Sequence, residues 1–312
     1  MDVEPIPREL LTRETVRRLA RRSDAQGLLQ LGAHAGLLAV TGLGVWASRG
    51  HPWMVGALLL HGIVLVFLFC ALHESIHRTA FASHGLNDAV AWVCGLLLIL
   101  PPEYFRQFHF AHHRFTQDAS RDPELAAESM QTLADYLWRV SGIPYWRERV
   151  STTLVHALTG RAREVFVPSE RAAPVVREAR IYWIVYLILF AVSVYWRRDE
   201  ALIYWVVPAL LGQPFLRLFL LAEHSGCAMS PDMLENTRTT HTVAAVRRLA
   251  WRMPYHAEHH CYPSVPFHAL PELHVLIGGR VRVQAPGYIA VHRDLLPRGA
   301  PRESSSKRVA SR

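Results

Sequence analysis

The chain has 312 residues, 51% of them hydrophobic and 19% charged, with a formal net charge of +8. So apolar a composition excludes a disordered chain, and four cysteines in this length exclude a disulfide-stapled secreted scaffold. Of the 34 basic residues all but Lys307 are arginine, and 18 histidines accompany them.

Residues 1–25 are polar and lack the apolar core of a signal peptide, so none is expected. Residues Glu9 to Arg22 have the makings of a basic amphipathic helix on a membrane surface. Residues 26–293 read as one membrane domain. Within it, the stretches 28–47 and 53–72 contain no Asp, Glu, Lys or Arg, nor does 181–196, and 201–222 contains only Arg217. A helix crosses the hydrocarbon core with about 20 apolar residues, so the expectation is an all-α integral membrane protein with four transmembrane helices. A shorter apolar run, 89–100, stops at Pro101 and Pro102 and suits an interfacial or re-entrant helix. Residues 294–312 read as a disordered basic tail.

Arginine placement orients these spans. Arg8, Arg13, Arg17, Arg18, Arg21 and Arg22 precede the first, and eleven more arginines lie between Pro101 and Arg180. The opposite loops offer only Arg49, and Arg197 and Arg198 offset by Asp199 and Glu200. The positive-inside rule therefore puts both termini and the long central segment in the cytoplasm. The same distribution accounts for the positive charge without a nucleic-acid surface. Arg217 reads as snorkelling to the cytoplasmic face, with an anionic head group as the other reading. Cys70, Cys94, Cys227 and Cys261 form no CxxC pair and are expected to be free thiols.

The histidines cluster at the cytoplasmic ends of these spans. His73 and His77 form HxxxH after span two; His109, His112 and His113 form HxxHH; His256, His259 and His260 form a second HxxHH; His224 ends span four. Residues three and four apart share a helical face, so each box is expected to aim its rings at one point. Nine imidazoles exceed the four ligands of one zinc and suit two metals of octahedral type. His34, His51, His61, His84, His156, His241, His268, His274 and His292 need no such role.

Three boxes split by paired membrane helices resemble the membrane fatty-acid desaturase superfamily, in a bacterial-type form. Three phrases carry the likeness: His109-Phe110-Ala111-His112-His113-Arg114-Phe115-Thr116-Gln117-Asp118, Met253-Pro254-Tyr255-His256-Ala257-Glu258-His259-His260, and Ala222-Glu223-His224-Ser225-Gly226 followed by Asn236-Thr237-Arg238-Thr239-Thr240. The resemblance implies a non-haem di-iron centre in a cytoplasmic helical cap over four transmembrane helices, located in the inner membrane of a bacterium. Acyl-CoA members often carry an Asn one turn before the isolated histidine; Leu220 stands there, so the expectation is that Asn236 serves instead, or another group, or none.

With O2 and two electrons such a centre removes hydrogen from an unactivated carbon of a fatty-acyl or lipid alkyl chain. Hydroxylation or ketolation of a lipid or carotenoid, and desaturation of an amino-acid-derived metabolite, stay open. A membrane metal transporter or sensor is the reading of another class, but the spans hold only His34, His61 and Arg217 as ionisable residues on a path. Glu74, Asp118, Asp122 and Glu258 are candidates to accept the second ring N–H of a ligand histidine, Asp118 foremost. No haem-binding, dinucleotide or iron–sulfur motif is present, which implies an external ferredoxin, rubredoxin or cytochrome. The arginine-rich face would attract an acidic one.

Overall fold

The computed structural model describes residues 10–126 and 130–296, so most of the expected C-terminal tail lies outside the described residues. The chain is a succession of helices: α1 (Arg13–Leu19), α2 (Asp24–Ala47), α3 (Met54–Val66), α4 (Leu68–Ile76), α5 (His84–Leu98), α6 (Pro102–Phe115), α7 (Leu133–Val140), α8 (Ile143–Thr159), α9 (Ser169–Tyr195) and α10 (Val207–His224). Five shorter ones follow: α11 (Met233–Asn236), α12 (Ala244–Leu249), α13 (His256–Cys261), α14 (Leu270–Ile277) and α15 (Tyr288–Leu295). Thr239–Thr240 and Gln284–Ala285 pair as two parallel two-residue strands, β1 and β2.

Among the described residues, three helices are long and apolar enough to cross a membrane: Asp24–Ala47, Met54–Ile76 (α3 continued by α4) and Leu202–His224 (α10 with a preceding π-helical turn). The expected span 28–47 falls within the first, 53–72 overlaps the second except for the capping Trp53, and 201–222 coincides closely with the third. The stretch 181–196 is not a separate helix but the second half of α9. The first half carries Glu170, Arg171, Arg177, Glu178 and Arg180, while Ile184, Leu187, Ile188, Phe190 and Val194 present an exposed apolar face. The short apolar run forms most of α5, which is bent by 95° against α6; the pair would be a fourth span, broken, or a re-entrant loop.

That bend follows from local chemistry. Ile99 takes a left-handed backbone at φ 53° and two prolines follow, so the helix stops and Pro102 starts a new one. The carbonyls left at the end of α5 are met by aromatic side chains: Trp205 Nε1 donates to Leu97 O (2.7 Å), Tyr186 OH to Leu96 O (2.7 Å) and Tyr145 OH to Leu98 O (3.1 Å). At the other end of the turn, the Glu178 carboxylate accepts from the Glu103 backbone N–H at 2.7 Å, capping α6. Burial pushes the Glu178 carboxyl up to about 7.

Small residues set the closest helix crossing. A Cβ on Gly62 would stand 2.0 Å from Pro208 O, and one on Gly212 2.2 Å from Gly62 O. The α3 and α10 backbones therefore touch, as glycine-lined membrane helices do. The C-terminal segment is anchored to α2 by the buried Trp251, whose indole donates to His34 Nδ1 at 3.2 Å. His61 is bonded to Thr41 Oγ1 (2.8 Å) and Tyr204 O (3.1 Å), so both intramembrane histidines have structural partners. Arg217 does not snorkel freely: its guanidinium lies over the Tyr145 ring of α8, 4.5 Å from the centroid.

Candidate metal centre

Four helix termini converge. His73 lies in the last turn of α4 and His77 just past it; α6 carries His109, His112 and His113; α10 ends at His224; α13 carries His256, His259 and His260. Their ring nitrogens fall into two groups in which all ligand atoms lie within 4.8 Å of one another: His73, His77, His109, His113 and His259, and His112, His224, His256 and His260. All nine histidines predicted from the sequence are thus brought together.

The boxes do not each aim at one point, however. In both HxxHH boxes the first and last histidines, four apart, enter one group, and the middle one enters the other. Helical geometry requires this: four residues return to within about 40° of the start, whereas adjacent residues diverge by about 100°. The two groups therefore share two helices and lie side by side, with the His113 and His260 rings stacked at 4.1 Å.

Within each group the Nε2 atoms face one another. His112 stands 3.1 Å from His224, His224 3.0 Å from His256, and His256 3.1 Å from His260. In the other group His113 stands 2.9 Å from His109 and 3.1 Å from His259. Between His112 and His224, a hydrogen bond between neutral rings does not account for this spacing. His112 Nδ1 is 3.0 Å from Asp122 Oδ1 and His224 Nδ1 is 3.2 Å from Asn236 O, so in the neutral rings both Nδ1 atoms carry the hydrogen. Two lone pairs then point at each other across 3.1 Å, which is repulsive unless a cation lies between them. Two nitrogens at right angles on a metal with bonds of about 2.1 Å stand about 3.0 Å apart, matching the observed spacing. The residues fit a pair of metal ions.

Burial keeps the outer rings in the ligand form. His77, His256, His259 and His260 are all held well below the usual histidine range by burial first, and then by neighbouring rings. Both nitrogens of His73, Nε2 of His77 and Nδ1 of His113 are buried with no hydrogen-bond partner among the described residues. Phe69, Phe105 and Phe110 lie against these rings and keep the site apolar on one side.

The candidate orienting residues divide. Asp122, nearly buried, accepts from His112 Nδ1, from Gln117 N (2.9 Å) and from Glu124 N (3.0 Å). Asn236 acts through its backbone carbonyl on His224, while its side-chain amide is committed to Thr116 O, Ser230 O and Thr237. Glu74 binds Thr79 Oγ1 (2.7 Å) and Phe267 N (3.3 Å), a brace between α4 and the segment after the third box. Glu258 is fully buried and takes Thr239 Oγ1 (2.6 Å) and His274 Nδ1. Asp118 turns away to Arg121 and Ser120, and Arg121 holds its carboxyl well below the ordinary range.

Sequence reasoning missed Glu223, whose Oε1 lies 3.4 Å from His256 Nδ1, and Glu124, 3.8 Å from His112 Nδ1. Glu223 adjoins His224 in the quoted phrase, but adjacency on a helix sends it to a different ring. It also missed the pairing of His274 with Glu258.

The chain is 25% identical over 250 residues to a sphingolipid delta(4)-desaturase of Drosophila melanogaster, covering 76% of this chain and 70% of the relative. It is 23% identical over 252 residues to the dihydrorhizobitoxine desaturase of Bradyrhizobium elkanii (75% and 69%). It is 26% identical over 153 residues to the sn-1 oleoyl-lipid 12-desaturase of Anabaena variabilis (44% and 42%). The family model described as fatty acid desaturase matches residues 50–292, a span that contains all nine histidines. The chain belongs to the fatty acid desaturase family and is an oxidoreductase.

Proposed function

We propose that this protein is an O2-dependent di-iron oxidase of the membrane that introduces a double bond into a fatty-acyl or lipid alkyl chain. One observation carries the reading: nine histidines, in groups of five and four, gather where membrane-length helices end, with no carboxylate among the ring-lined ligand positions. All-nitrogen groups suit iron among the first-row metals. When bound, the iron pair supplies O2 activation and hydrogen removal from an unactivated carbon. The protein's own residues do the rest. Asp122 and the Asn236 carbonyl fix the His112 and His224 rings with Nε2 toward the metal. Phe69 and Phe105 exclude water beside His73 and His109. Glu74 and Glu258 lock the first and third boxes to neighbouring segments.

The nine histidines, the helical cap that carries them and both termini are assigned to the cytoplasmic side, in a bacterial inner membrane, on the arginine distribution. Electrons come from an external ferredoxin, rubredoxin or cytochrome. A transporter is disfavoured because His34 and His61 are engaged with carbonyls inside the bundle, leaving no ladder of free ligands along it.

The test is expression in a host with a simple lipid profile, with product analysis by mass spectrometry, for the native chain and His112→Ala. Loss of two hydrogens from a lipid in the native strain alone supports the reading. Gain of one oxygen would replace it with hydroxylation. Exchangeable zinc with no O2-dependent product would defeat it.

A further inference from the structure

The metal centre leaves a second set of buried polar groups unused. On α8, Tyr145 lies between Arg149 and Arg217 of α10, and the Trp146 ring packs 5.0 Å from that of Tyr145. The two arginines share one ring, Arg217 lying 4.5 Å and Arg149 5.9 Å from the centroid of Tyr145. Gln213 sits one turn from Arg217 and is so close to Gly142, at the start of α8, that a Cβ there would meet Gln213 Cγ at 2.5 Å. Gln213 is 0% exposed and Arg149 6%. Nevertheless Gln213 Oε1 and Nε2, Arg149 Nε, Arg217 Nε and Trp146 Nε1 have no hydrogen-bond partner among the described residues.

Five such atoms on neighbouring stretches of α8 and α10 make a site for a ligand rather than a set of packing defects, because buried polar groups are almost always paired. Four of the five are N–H donors, and two of those belong to cations: Arg149, whose Nη2 already reaches Glu148, and Arg217, which has no ion-pair partner among the described residues. Their complement is a compact anionic oxygen group. Arg217 precedes His224 by seven residues on the same helix, two turns or about 10 Å. Arg149 lies over Tyr104 and Phe108, the residues of α6 that lead into His109.

We propose that Arg149, Arg217, Gln213 and Trp146 bind the anionic group of the substrate, a carboxylate or phosphate, and hold it about 10 Å along α10 from the metal-binding rings. The identification of that ligand as substrate rests on the oxidase reading above; the anion site itself does not. It narrows the substrate to an anionic amphiphile or acid whose charged group lies close to the reacting carbon.

The experiment uses the full, metal-loaded chain in a nonionic detergent. Tryptophan fluorescence is titrated with sodium palmitate, hexadecyl phosphate and uncharged hexadecanol. The anions bind more tightly than the alcohol, and Arg217→Met and Arg149→Met each reduce that preference by about ten- to a hundredfold. Arg217→Lys keeps part of the preference, since it retains charge but not the fork. Metal content is measured on every variant, so that a misfolded protein is recognised by loss of metal. Palmitate favoured over hexadecyl phosphate of the same chain length assigns a carboxylate, and the reverse order a phosphate head group. Equal affinity for anion and alcohol, or an undiminished preference in the metal-replete arginine variants, overturns the proposal. Neither outcome depends on turnover, so a failed product assay would strike the oxidase reading and leave the anion site standing.

Discussion

Asp122→Asn isolates what a carboxylate contributes to the metal centre. Oδ1 of Asp122 accepts from both His112 Nδ1 and Glu124 N at 3.0 Å, and Oδ2 from Gln117 N at 2.9 Å, in a side chain only 2% exposed. An amide has one acceptor oxygen. Placed toward His112 and Glu124, it leaves its NH2 against the Gln117 N–H, a buried donor–donor contact that costs about 1–3 kcal/mol of stability. The His112 ring keeps its orientation but loses the negative charge that makes its Nε2 a better donor. Loss of such an outer partner lowers metal affinity about 10- to 100-fold, or about 1.4–2.7 kcal/mol. The effect belongs to the group of His112, His224, His256 and His260; the five-histidine group is not in contact with Asp122. Metal content after equilibration against graded chelator concentrations should therefore show one ion lost early and one retained. Asp118→Asn is the matched control, since Asp118 serves Arg121 and Ser120 instead. Equal loss from both variants, or full retention of both ions in Asp122→Asn, would refute the reasoning.

Further outcomes follow from the same contacts. Glu178, raised from 4.5 to about 7 in the folded chain, holds its proton more firmly folded than unfolded. Its contribution is complete below pH 4.5 and is lost as pH rises through about 7, so thermal melts should show native protein losing stability relative to Glu178→Gln across that window. The third-box rings are shifted the opposite way, well below 6.5: they cost nothing above that pH, and the apo fold weakens progressively beneath it. Metal retained at pH 7 should accordingly be released on acidification, measured by dialysis, because ligation requires the neutral rings. Gly62→Ala drives a methyl into Pro208 O and should destabilise by about 1–3 kcal/mol in thermal unfolding, while Gly56→Ala, with nothing within 4 Å, should not.

The sequence makes the nine histidines legible because metal ligation on helices demands spacings of three and four, and such spacings survive without knowledge of the tertiary fold. Their division between two groups is not legible. It depends on the faces that α6 and α13 turn toward each other far apart in sequence, as the His260 Nδ1 contact with Thr116, 144 positions away, illustrates. The orienting carboxylates were harder still. Asp118 looked closest to the second box, but Gln117 takes a left-handed backbone at φ 64° and reverses the chain. Asp118 then faces Arg121, and Asp122, a turn later, comes back beneath His112. Glu258 sits inside the third box, yet the 100° step of the helix carries it away from the rings toward His274.

The membrane helices were legible as apolar lengths, but not for what they do to the site. Gly62 and Gly212 bring α3 and α10 into backbone contact, and His73 and His224 follow eleven and twelve residues later on the same two helical runs. Both runs therefore travel about 17 Å from one shared contact to one of the clustered histidines each. With equal travel, the separation of those histidines is set by the crossing angle alone, and a rigid glycine contact fixes that angle more firmly than a crossing of flexible side chains could. The first group takes its ligand from one run and the second group from the other. The spacing between the two groups is thus referred to a contact in the middle of the bundle, and the apolar spans serve the chemistry as its ruler as well as its anchor.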